Sequence, residues 1–166
     1  MDAKRAVLRS AVAEEVEVLS ELALRSKAHW GYDDDFLKAC RAELTVRAQD
    51  IEVHRLTVAV DETTHRVVGF YGLTGTTSDD AELSALFVEP AVIGTGVGRL
   101  LFDDALRAAR RAGFERVRIE ADPFAATFYE HVGAARVGSI SSGSIADRVL
   151  PLYVMDVGRP DPGGRR

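Results

Sequence analysis

The 166-residue chain has one cysteine, Cys40, so no disulfide can form within it and a disulfide-stapled scaffold is excluded. With no such framework, a reducing compartment is the default, and a cytoplasmic protein is expected. No apolar run approaches the roughly 18–20 residues of a membrane span. The opening MDAKRAVLRS also lacks the apolar stretch of a signal peptide, so no membrane partner is expected. Positive charge is not in excess: 21 Lys and Arg stand against 26 Asp and Glu, a net charge of −5. Such a chain has no general attraction for phosphate polymers, and no nucleic-acid partner is expected. The four histidines and single cysteine fall at no metal-ligand spacing, so no metal is expected. What remains is ordinary for a globular protein, 46% hydrophobic and 28% charged, at a length suited to one domain.

The apolar periodicity divides the chain into short elements. Ala6-Val7-Leu8 reads as a first strand and Ala13 to Ser26 as a helix. Gly31 breaks the pattern, and the acidic run Asp33-Asp34-Asp35 caps a second helix to Ala48. Val53 to Val60 and Val67 to Thr74 form a hairpin across a polar turn, and Ala81 to Val88 is a further strand ended by Pro90. Gly94, Gly96 and Gly98 open a long helix that stops at Gly113, with a buried stripe of Val97, Leu100, Leu101, Ala105, Ala108 and Ala112. Arg116 to Ala121 is a strand, Pro123 to Val132 a short helix, and 135–140 and 149–157 the last strands. The domain is expected over 1–157, with a disordered Gly- and Pro-rich tail at 158–166. The order βααβββαβαββ indicates an α+β layered fold, with helices covering both faces of a sheet.

The segment with most chemical content is strand, turn, Gly94-Thr95-Gly96-Val97-Gly98, long helix. Alternate glycines strip side chains from a helix N-terminus, so free N–H groups can curl around an anion such as a diphosphate. A dinucleotide-binding unit is one alternative, because Glu120 and Asp122 end the next strand. Too few βαβ units follow for a doubly wound sheet, which weighs against it. A glycine-rich turn that merely lets strand and helix pack closely is the plainer alternative.

LFVEPAVIGTGVGRLL, followed by a helix, a strand and DPFAATFYEHVGA, resembles the GNAT family of acyl-CoA-dependent N-acyltransferases from Leu8 to Val157. The resemblance implies a mixed, mostly antiparallel central sheet of about seven strands. It also implies acetyl-CoA as cosubstrate. The family's pyrophosphate loop, Arg/Gln-x-x-Gly-x-Gly/Ala, falls on Ile93 to Gly98, with Ile93 in place of the leading Arg or Gln. The amides of Gly94, Thr95, Gly96, Val97, Gly98 and Arg99 are thereby the expected diphosphate ligands. Leu86, Phe87 and Val88 would carry the pantetheine arm as if it were an added strand. The downstream Asn-x-x-Ala-x-x-x-Tyr falls on Asp122, Ala125 and Tyr129, with Asp122 replacing Asn and Phe128 beside the cofactor or in the core.

The same resemblance assigns roles in catalysis. Tyr129 would protonate the departing thiolate, and the backbone N–H of Val88 would hold the oxyanion. Glu82 is the candidate base, expected to share a strand face with Val88 six residues on. Arg25 to Tyr32 resembles a SKAHWGY run of bacterial members, which brings His29, Trp30 and Tyr32 to the border of the acceptor cleft. Each of the three also has a plain reading as a packed or solvated helix end. The expected activity is direct acetyl transfer to the amine of a small molecule or peptide, and a homodimer is compatible with it. The alternatives are a non-catalytic acyl-CoA sensor and the dinucleotide binder.

Overall fold

The computed structural model describes residues 2–158, so all of the expected tail at 158–166 except Gly158 lies outside the described residues. Seven strands form one sheet in the order β1-β2-β3-β4-β5-β7-β6. They are β1 (Ala6–Ser10), β2 (Thr57–Asp61), β3 (Val67–Gly75), β4 (Asp80–Val88), β5 (Arg116–Glu120), β6 (Ala135–Ser141) and β7 (Val149–Asp156). Every adjacent pair is antiparallel except β4 and β5, which run parallel. The expected mixed, mostly antiparallel α+β sheet is what the structure has.

Five α-helices accompany the sheet: α1 (Val16–Ala28), α2 (Asp34–Leu44), α3 (Ala48–Val53), α4 (Val97–Arg111) and α5 (Ala126–His131). Asp33 caps α2 by accepting from the Phe36 N–H at 2.8 Å. Two buried clusters lie on opposite faces of the sheet. One places Leu101, Phe102 and Ala105 of α4 with Tyr71, Leu73, Ile119 and Tyr153. The other places Leu19 and Leu22 of α1 and Cys40 of α2 with Val58 and Phe70.

Several sequence expectations shift. The second helix ends at Leu44, and Val53 closes a further helix, α3, rather than opening a strand; His54 caps it. The β-branched residues Val53 and Val58 to Val60 mimic one strand, but the run is cut by Arg55 in a left-handed conformation (φ 46°). The buried stripe of α4 is Val97, Leu101, Phe102, Ala105 and Ala109. Leu100 and Ala108 are only half-buried, and Ala112 lies exposed beyond the helix. Phe102, within the stripe, meets the ring of Phe128 edge-on at 6.0 Å.

Two features of β4 position the site. Gly72 pairs with Ala85 and Leu73 with Leu83, so Ser84 is an extra residue, a β-bulge. Gly72 is required opposite it, since a Cβ there would meet the Ser84 Oγ at 2.6 Å and Leu56 Cδ2 at 3.0 Å. Pairing of β4 with β5 is confined to Asp80–Arg116, Ala81–Val117 and Glu82–Arg118. Beyond Glu82 the bulged strand diverges, and the sheet opens into a V between β4 and β5.

Candidate active site

The V continues into a cleft of about 670 Å³. It runs from Gly94, Gly96, Gly98 and Arg99 along Leu86, Phe87 and Val88 to Tyr129 and Asp122, and ends among residues of α1, α2 and the β6–β7 loop. A second, shallower concavity of about 710 Å³ between β1, α3 and α4 is remote from the glycine loop.

At the loop end, Gly94 and Gly96 take φ of +82° and +93°. These left-handed turns are open to glycine without strain. They expose the start of α4, a 15-residue helix, to the cleft. Among the described residues, the N–H groups of Gly94, Gly96, Val97, Gly98 and Arg99 have no hydrogen-bond acceptor, whereas that of Thr95 bonds to the Val92 carbonyl. These amides, with the positive end of a long helix behind them, form a cradle of open donors with the chemistry to meet an anion. Thr95 alone of the expected loop amides is taken.

Along the V, the Glu89 N–H donates to the Val68 carbonyl at 2.8 Å. Antiparallel pairs alternate between bonded and non-bonded, and Phe87 opposite Phe70 is bonded. The N–H and C=O groups of Leu86 and Val88 therefore point away from β3, into the gap where no strand of the sheet pairs with them. An open row of this kind accepts the amides of an extended arm. Phe87 differs from the expectation: its backbone is committed to β3, and its side chain packs on the opposite face, against Phe70 at 5.6 Å.

Tyr129 is buried, projects from α5 into the cleft, and has no hydrogen-bond partner for its hydroxyl among the described residues. Phe102, Phe128 and Tyr153 hold its ring at 6.0, 5.2 and 5.9 Å. Burial raises the phenol well above its ordinary value, and the nearby Asp122 charge raises it further. The hydroxyl is thus a protonated donor. Phe128, placed by the resemblance either beside the cofactor or in the core, packs against the core cluster and also lines the cleft.

Glu82 does not share a face with Val88. Ala81, Leu83, Leu86 and Val88 pack on the α4 side, whereas Ala85 and Phe87 pack on the α1–α2 side. The extra residue Ser84 inverts the alternation, so Glu82 belongs with Ala85 and Phe87. Burial, then the charge of Glu120, pushes its carboxyl upward. Glu82 itself does not line the cleft; Glu120, on the same face two residues beyond its partner Arg118, does. The signal for the bulge was the isolated Gly72 inside an apolar strand.

Asp122 is the centre of a network absent from the sequence reading. It accepts from Lys27 Nζ at 2.5 Å, from the Tyr32 hydroxyl at 2.9 Å and from Arg148 at 3.4 Å. It also caps the turn at 123–125 through the Phe124 N–H at 2.9 Å. Arg148 donates to the Tyr32 hydroxyl at 2.6 Å. Burial pushes the Asp122 carboxyl upward, but Lys27, the Phe124 N–H and Tyr32 outweigh it and hold it below the usual range. Tyr32 is pushed up to about 12, first by burial and then by Asp122. Its ring stacks on Phe36 at 3.9 Å. Trp30 lines the cleft and stacks on Phe124 at 5.8 Å, while the exposed His29 touches only the Trp30 edge at 5.2 Å and stays outside the cleft. Tyr32 likewise stands behind Asp122, not in the cleft wall. Ala125 does line the wall.

A sheet opened between two parallel strands, with a glycine cradle at one end and a lone phenol in the gap, is the architecture of an acyl-CoA-dependent transferase. Residues 15–142 match the family described as Acetyltransferase (GNAT) domain, and the chain belongs to that family. An "Uncharacterized N-acetyltransferase YjgM" from Escherichia coli (strain K12) is 38% identical over 68 residues, which is 39% of this chain and 41% of that protein. The matched segment is therefore less than half of that relative's length. Among solved structures, the PaiA N-acetyltransferase of Thermoplasma acidophilum, crystallised with coenzyme A, superposes with a TM-score of 0.75 at 18% identity. That match covers 91% of this chain and 98% of the other. A phosphinothricin acetyltransferase from Sinorhizobium meliloti, in complex with AcCoA, gives 0.66 at 17% identity over 96% and 95% of the chains. No helix among the described residues is long and apolar enough to cross a membrane.

Proposed function

We propose that the protein transfers an acetyl group from acetyl-CoA to the amine of an acceptor by direct attack in a ternary complex. The observation that carries this is the continuous cleft, with open amides at its loop end, an open strand edge along its middle and a buried phenol without a partner where the two strands part. The free amides of the loop would hold the diphosphate, and Leu86 and Val88 the pantetheine arm. Bound acetyl-CoA supplies the activated thioester. The Val88 N–H is then positioned to donate to the oxyanion, and the Tyr129 hydroxyl to the sulfur as it departs. Glu120, with Glu82 behind it, takes the proton the amine must lose. Cys40 is buried on α2, which argues against an acyl-cysteine intermediate.

Acetyl-CoA is expected to raise the melting temperature, while NAD and ATP leave it unchanged. Thiol release, corrected for hydrolysis and read across a panel of amines, then separates an enzyme from an acyl-CoA sensor. Stabilisation by NAD alone would overturn the proposal, and so would tight coenzyme A binding with no amine-dependent release.

Ile93 lies at the cleft mouth, 37% exposed, where the resemblance places an Arg or Gln. Ile93→Arg adds a guanidinium beside the diphosphate cradle. A charge-assisted bond is worth about 1.5–3 kcal/mol at best, and exposure reduces this. Coenzyme A affinity, measured by calorimetry, is expected to rise by roughly 3–10-fold, with dephosphorylated pantetheine unaffected.

A further inference from the structure

We infer that the acceptor is a small amino carboxylate, held by its carboxylate on the Arg148–Lys27 pair. This rests on the acetyltransferase reading above and names the acceptor class for that same cleft.

The observation is a charge imbalance inside the cleft wall. Lys27, Arg148 and Asp122 all line the cleft, with side chains 14%, 15% and 15% exposed. Both cations are directed at one oxygen, Oδ2 of Asp122. Two positive charges share one negative charge, and Tyr32, the remaining member, is a neutral phenol. A cluster so withdrawn from water carries a net charge of one positive unit, and it calls for an anion. Arg148 also keeps donors in hand. One terminal nitrogen serves Tyr32 and Asp122, and no acceptor among the described residues meets its other terminal nitrogen or Nε. None of its nitrogens is both buried and unpartnered, so these donors open to solvent. Its guanidinium plane is fixed, since it lies over the rings of Phe36 at 4.8 Å and Tyr32 at 5.2 Å. A held guanidinium with a free edge suits a planar, two-oxygen anion better than a point charge does.

The shared cleft limits the size of the acceptor. Lys27, Arg148 and Asp122 line the same cleft as Tyr129, so the cation pair and the phenol face one bound molecule. An amine reaching the thioester while its own carboxylate rests on Arg148 must be a few bonds from that carboxylate. Glu43 and Glu120 line the same cleft and form no ion pair among the described residues, leaving acidic groups for an ammonium group. Trp30, Leu44, Phe70 and Leu150 supply an apolar wall for a side chain.

The test compares matched acceptors: each of the twenty L-amino acids against its α-amide and its decarboxylated amine. Acids are expected to exceed their amides in kcat/KM by on the order of 10²-fold, as for loss of a charged hydrogen bond. Arg148→Gln is expected to collapse that ratio toward one, and Arg148→Lys to retain part of it. A ratio is insensitive to general damage, so partial unfolding of a variant cannot imitate this result. Amides or plain amines used as well as the acids would overturn the inference and leave the acetyltransferase standing. If no acceptor turns over, calorimetry of the same amino acids on the coenzyme A-loaded protein still decides. Binding of an acid, weakened on the order of 10-fold or more by Arg148→Gln, supports the carboxylate site, and binding of none overturns it.

Discussion

Tyr129→Phe is expected to lower turnover by ~10²–10⁴-fold while leaving melting temperature and coenzyme A affinity nearly unchanged. The structure sharpens this expectation, because the hydroxyl has no hydrogen bond within the described protein to lose. A tyrosine that merely pinned α5 to the core would show such a bond, and its loss would cost about 0.5–1.5 kcal/mol. The ring contacts with Phe102, Phe128 and Tyr153 survive in phenylalanine. Burial holds the phenol far above the roughly 8.5 of a thiol, so the hydroxyl remains protonated throughout the neutral range. The alkaline limb of the wild-type pH profile should accordingly show no loss from Tyr129 up to about pH 10. Steady-state rate and melting curve on one preparation decide: unchanged turnover would remove Tyr129 from the chemistry.

The fold was largely legible because its signals are local. Alternating apolar runs marked β3 and β4, glycines marked the turn into α4, and the acidic run before α2 supplied its cap at Asp33. The glycine cradle was legible for the same reason, since backbone amides at a helix start depend on chain order alone. Pairwise geometry was not. One extra residue at Ser84 reverses the face of everything before it, so the parity argument for Glu82 failed and Glu120 came to the cleft instead. The sequence holds Gly72 as a hint, but a glycine does not say on which strand the bulge falls. The Asp122 network was invisible for a different reason: Lys27, Tyr32 and Arg148 lie 95, 90 and 26 residues from Asp122. Only the approach of α1, the segment after it and the β6–β7 loop to the turn at Asp122 brings them together. Asp122 stands where the resemblance has an asparagine, and the structure shows it holding two cations.

Asp122→Asn keeps the shape and the acceptor for the Phe124 N–H, but leaves Lys27 and Arg148 facing each other without a counter-ion. Removing one partner of a buried ion pair costs about 3–5 kcal/mol; a cleft open to water reduces that to about 2–3 kcal/mol. At about 2–4 °C per kcal/mol for a chain of this size, the melting temperature should fall by roughly 5–10 °C at neutral pH. The pH dependence fixes the cause. The folded carboxyl is held below its unfolded value of about 3.9, so its stabilisation is complete above that value and is lost as pH falls through the folded one. Wild type and Asp122→Asn should therefore differ most at neutral pH and converge below about pH 4, where the wild-type carboxyl takes up its proton. Melting curves of both proteins between about pH 3 and pH 8 measure this directly. A gap that stays constant to the acid end would mean that packing, and not the charge of Asp122, holds Lys27 and Arg148 in the cleft wall.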